Sequence, residues 1–195
     1  SHVHMRSRQA LSGAGWRLLY DQEALNGNHD KSIPGEAEKI TAELLHIFAQ
    51  AQDDNTSSAT FTTDIQCQRV SRKDGHLVLM ELTTEKAITV EEVHEAIINF
   101  NQNSSLNSAP SSPLKPIHLV DEIDTKAHLW SDGENFSNHP NPSENLKTGM
   151  AIVVSNIEVH EGNKLHFSAY SHNTIRGAAG GVILLAELVA MKSLI

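Results

Sequence analysis

Two apolar periods alternate along the chain. Behind Pro34, "GEAEKITAELLHIFAQAQ" sets Ile40, Leu44, Ile47 and Phe48 at helical spacing, and "DDNTSS" closes the run. The pattern then changes to β-branched and alternating. "ATFTTDIQCQRV" (Ala59 to Val70) and "HLVLMELTT" (His76 to Thr84) read as strands, with Lys73, Asp74 and Gly75 as a plausible hairpin connection. "TVEEVHEAIINF" is a helix opened by a capping box, Thr89 facing Glu92. "KPIHLVDEI" supplies an edge strand between two polar loops, Asn101 to Pro116 and Asp132 to Lys147. "GMAIVVSNIEV" and "KLHFSAYS" form a second strand pair about a turn at Glu161 to Asn163. The chain ends in an apolar helix, "VILLAELV", entered through five small residues from Gly177 to Gly181. Glycine costs roughly 1 kcal/mol against alanine inside a helix, so something is expected to approach that backbone closely. The order predicts an α+β domain: a mixed, mostly antiparallel sheet with helices packed on one face.

Composition narrows the partners. A formal charge of −9 over 195 residues argues against nucleic acid and anionic membranes. The best apolar run, Val182 to Ile195, is too short to span a bilayer and carries Glu187 and Lys192. The single cysteine, Cys67, permits no internal disulfide and fits a reducing, cytoplasmic setting. The 12 histidines show no metal-ligand spacing, so no metal site is expected. "SHVHM" reads as a non-native leader, Ser1 to Met5, with the natural chain starting at Met5 and one domain from residue 6 to 195. On that reading His2 and His4 are not ligands. Arg69 and His76 fall on strands expected to be neighbours, so their side chains can share a face. An arginine fork suits a carboxylate, and a histidine exchanges protons near neutral pH. Glu36 and Lys39, at i and i+3, fit either a solvated ion pair or an anion site.

Several motifs then occur in one order: "QALSGAG" (Gln9 to Gly15), "EAEK" (Glu36 to Lys39), "CQRVSRKDGH" (Cys67 to His76), "SAPSSPLKPI" (Ser108 to Ile117) and "SHNTIRGAAGG" (Ser171 to Gly181). Together they resemble the C-terminal, catalytic and dimerisation domain of the aspartate-semialdehyde dehydrogenases, most closely the fungal branch. The resemblance covers Gln9 to the C-terminus. It implies that Gln9 orients an acyl intermediate, Arg69 binds the substrate carboxylate and His76 is the acid/base. It places Glu36 and Lys39 near the phosphate or second anion of the substrate and Asn173 beside the nicotinamide. A homodimer is also implied.

The departures shape the functional expectation. That family's nucleophilic cysteine lies upstream of the glutamine and is not in this sequence, nor is its NADP-binding domain. Cys67 does not replace that cysteine, because it sits on the strand carrying Arg69. Ser155, Asn156 and Glu158 stand where Gly, Arg and Arg are usual. Trp16, Leu18 and Leu77 make the surroundings more apolar, and Trp16 and Leu77 are taken as substrate-lining. The expectation is therefore a cofactor-free isomerase or cyclase, including a Diels–Alder type, acting on an apolar carbonyl or carboxylate substrate of fungal secondary metabolism. The alternatives are a fragment of an NADP-dependent aspartate-semialdehyde dehydrogenase and a non-catalytic dimerisation module.

Overall fold

The computed structural model describes residues 1–52, 55–57 and 59–193. The strands are β1 (His2–Gln9), β2 (Gln50–Gln52), β3 (Asn55–Ser57), β4 (Thr62–Arg69), β5 (His76–Thr83), β6 (Ile117–Leu119), β7 (Ile152–His160) and β8 (Lys164–Ser171). The helices are α1 (Trp16–Leu19), α2 (Gln22–Leu25), α3 (Glu36–Ile47), α4 (Val90–Asn103) and α5 (Gly180–Met191). Six strands form one sheet in the order β4-β1-β5-β8-β7-β6, and β2 pairs β3 separately. The two pairs β1–β4 and β6–β7 are parallel and the remainder of the large sheet is antiparallel.

Three expectations are corrected here. Ser1 to Met5 do not stand outside the domain: His2–Gln9 is an inner strand, hydrogen-bonded on both edges. Its alternation is a strand's, with Met5 and Ser7 buried and Arg6 and Arg8 exposed. The second correction follows from the first. β4 and β5 are not a hairpin pair, because β1 lies between them. The connection from Val70 to Gly75 arches over the end of β1 and is tied to it by Ala10 N–H to Gly75 O (3.1 Å), Leu11 N–H to Arg72 O (2.8 Å) and Ser12 N–H to Lys73 O (3.0 Å). The first long helix is also shorter than its expected span of 35 to 52: α3 ends at Ile47, and Gln50–Gln52 turns into β2. Asp53, Asp54 and Ser58 of the expected closing loop lie outside the described residues.

The register places α3 and α4 on one face. Thr63, Val3, Leu82 and Leu165 form one cross-strand row. Thr41 of α3 meets Thr63 at 3.0 Å. Val93, Ala96 and Ile97 of α4 line an apolar groove with Ile117 and Leu165. The capping box of α4 is present, with Glu92 N–H to Thr89 Oγ1 at 3.2 Å and Thr89 N–H to Glu92 Oε2 at 2.8 Å. On α5, Leu184 packs with Met150 and Ala109 beside Leu106 and Ile175. The small-residue run is explained from within the chain. A Cβ at Gly180 would collide with the Met150 sulfur, and one at Gly181 would stand 2.6 Å from the Arg176 carbonyl oxygen, across the π-turn Ile175–Ala179. Gly177 faces open space. Among the described residues no helix is long and apolar enough to cross a membrane.

Candidate active site

The site is a register row at one end of the sheet. Arg69 ends β4, Gln9 ends β1 and His76 begins β5; Gln9 is the direct partner of both others. Direct partners point to the same face, so the three side chains converge, though through an intervening strand rather than a hairpin. Arg69 is buried and its Nη1 donates to the Ala10 carbonyl at 3.0 Å. The same nitrogen is 3.5 Å from Gln9 Oε1. Gln9 Nε2 in turn donates to Glu36 Oε1 at 3.0 Å, in the first turn of α3. The turn Leu11–Ala14 lies against the guanidinium: a Cβ at Gly13 would stand 2.7 Å from Nη1. The glycine of "SGAG" is thus a space for the arginine.

A second set of contacts holds the frame. Asn173 Oδ1 accepts from Gly75 N–H at 2.7 Å, and its Nδ2 donates to Ser12 Oγ at 2.8 Å. This one amide ties the loop before His76 to the turn over Arg69. Behind the row lies another, Cys67–Ser7–Val78. Ser7 is buried, and its Oγ is 2.6 Å from His76 Nε2. Sequence reasoning missed Ser7 because it followed the supposed leader, although its place two residues before Gln9 puts it on the same face.

Other expected site residues are not gathered here. Lys39 pairs with Glu43 at 3.6 Å rather than with Glu36, and both side chains are exposed. A carboxylate four residues ahead on the helix competes for the lysine. Trp16 is 69% exposed and stacks under its neighbour Arg17, 5.6 Å from the ring centroid. Leu77 pairs with Arg8 and Tyr170 and so points to the opposite face from His76. Adjacent strand residues cannot both line one surface.

Burial sets the electrostatics. It pulls the His76 pKa down, with Arg69 adding to the effect and Glu36 opposing it. The imidazole is therefore neutral near pH 7 and free to act as a base. Burial also lowers the Arg69 pKa against Glu36, without bringing a guanidinium near deprotonation. The Cys67 thiol is pushed up by burial and then by Glu36. It is held as a thiol, which argues against its acting as the nucleophile. His118 and His172 are likewise lowered by burial. An unfolded chain takes up protons at these positions at higher pH than the folded one does. Stability they contribute is present above the ordinary histidine value and is lost progressively as pH falls from there through the lowered folded values. The urea midpoint is expected to be lower at pH 5.5 than at pH 7.5. Equal midpoints would remove these three histidines from the account.

No protein-family model matches the chain. It is 31% identical over 194 residues to the aspartate-semialdehyde dehydrogenase of Methanothermobacter thermautotrophicus, covering 96% of this chain and 51% of that one. It is 29% identical over 202 residues to the same-named enzyme of Trichophyton rubrum, covering 99% of this chain and 52% of that protein. The chain is a relative of the aspartate-semialdehyde dehydrogenases. It spans about half the length of these curated relatives, matching their C-terminal half. The crystal structure of Candida albicans aspartate semialdehyde dehydrogenase with NADP shares its fold, with a TM-score of 0.69 at 24% identity over 100% of this chain and 51% of that one.

These relatives overturn the expectation of a cofactor-free isomerase or cyclase of secondary metabolism. That reading rested on the nucleophile and NADP-binding domain not found in this sequence, on the retained donors and on the apolar Trp16, Leu18 and Leu77 of the chain. Its residues do not by themselves fit a dinucleotide. The Asn173 amide is engaged by Gly75 and Ser12, and the small-residue run is packed from within at Gly180 and Gly181.

Proposed function

We propose that this chain supplies the substrate-binding and acid/base half of an aspartate-semialdehyde dehydrogenase type of active site. The observation that carries this is the single register row of Arg69, Gln9 and His76. In it Arg69 holds the substrate carboxylate with its fork. Gln9, fixed by Glu36, orients the carbonyl being transformed. His76, neutral and desolvated, takes and returns the proton. The nucleophile and NADP are supplied by the other half of such an enzyme. Asn173 braces the loop that carries His76. The lone cysteine supports a cytoplasmic setting. A homodimer follows from the family relationship.

The test is direct. Titrating the isotopically labelled chain with L-aspartate β-semialdehyde is expected to shift the Arg69, Gln9 and His76 resonances together. Saturating ligand that leaves all three unmoved sinks the reading.

A further inference from the structure

We propose that Ser7 is a positioning residue for His76, holding Nε2–H so that Nδ1 is the nitrogen that exchanges protons. This rests on the reading of His76 as the acid/base. The geometry is a chain of three side chains behind the site. His76 Nε2 lies 2.6 Å from Ser7 Oγ, and among the described residues Nδ1 makes no hydrogen bond. Cys67 is the direct cross-strand partner of Ser7, so its thiol and the serine hydroxyl lie on the same face of the sheet.

A neutral imidazole carries one proton, and the bond made by one nitrogen decides the state of the other. If His76 Nε2–H donates to Ser7, and Ser7 O–H donates to the Cys67 sulfur, the chain has one consistent polarity. Nδ1 then keeps a lone pair. The Arg69 guanidinium, near enough to disfavour a charged imidazole, also favours a lone pair over an N–H within its field. Protonation at Nδ1 leaves the Nε2–H···Oγ bond in place and strengthens it, because the donor is now charged. The ring therefore holds its orientation in both protonation states. Ser7 is nearly inaccessible, at 1% exposure, so water does not substitute for it readily.

The experiment is long-range proton–nitrogen NMR of the labelled chain through a pH titration, with His76 assigned by His76→Gln. Nε2 is expected to stay protonated throughout, and Nδ1 to gain its proton on acidification. Ser7→Ala removes the acceptor that favours the charged form more than the neutral one. The His76 midpoint is expected to fall by about one unit, with both tautomers populated. Ser7→Thr keeps the hydroxyl and is expected to keep both the midpoint and the tautomer. A neutral wild-type ring protonated at Nδ1 overturns the proposal, as does a Ser7→Ala chain with midpoint and tautomer unchanged. If Ser7→Ala does not fold, the wild-type and Ser7→Thr spectra still decide. None of these readouts needs bound substrate, so their failure is separable from failure of the semialdehyde titration.

Discussion

Gly75→Ala is expected to destabilise the fold by about 3–5 kcal/mol, the sum of a strained backbone and an overpacked core. Gly75 has φ +104°, a region that residues with a Cβ rarely enter. The added methyl would run into the Tyr170 hydroxyl and stand 2.7 Å from its Cε2 and Cζ. Tyr170 has little freedom to move aside. It is 1% exposed, and its hydroxyl donates to the Thr125 carbonyl at 2.7 Å. That burial also raises the phenol pKa to about 12. Gly75 is further fixed by its N–H to Asn173 and its carbonyl to Ala10 N–H. Gly162→Ala is the comparison. It has φ +75° but open space around its missing Cβ, so only the backbone cost of about 1 kcal/mol applies. Urea unfolding of the two variants separates strain from collision. Equal losses would mean that Tyr170 does not guard the position.

Most elements were legible because their periods were clean. β4 exposes Thr62, Asp64, Gln66 and Gln68 and turns Thr63, Ile65, Cys67 and Arg69 inward, as a strand with one covered face should. β1 has the same alternation, but two histidines near the chain start outweighed it. That one misreading cost the topology. A six-residue connection normally closes a hairpin, and only a strand already in place makes Val70 to Gly75 a bridge over its end. Gln9, Arg69 and His76 came from motifs at recognisable spacing, and the corrected topology still brings them together. Leu77 was misplaced by ignoring the period of two, and Lys39 by ignoring Glu43 as the competing partner. Ser7 and the Asn173 bridge depend on pairings between distant segments, which no local pattern records.

Arg69→Ala is expected to weaken binding of aspartate semialdehyde by roughly 10²–10³-fold, in the range seen when one partner of a buried, hydrogen-bonded charge pair is removed. Arg69 is 8% exposed, so a carboxylate that reaches it exchanges water for a charge-assisted pair in a low-dielectric setting. The guanidinium is already oriented by the Ala10 carbonyl at 3.0 Å and by the wall at Gly13, which lowers the cost of fixing it on binding. Arg69→Lys keeps the charge but loses the fork. One ammonium cannot hold the Ala10 carbonyl and both carboxylate oxygens in the same plane, so an intermediate loss of about tenfold is expected. Lys39→Ala discriminates the structure from the motif: its ammonium sits on Glu43 in solvent, and its loss is expected to change affinity less than about twofold. The measurement is the same NMR titration, run on variants whose urea midpoints show them folded. A Lys39→Ala chain that loses as much affinity as Arg69→Ala would return the anion site to α3. An Arg69→Ala chain that binds as tightly as the parent would remove the carboxylate from the row altogether.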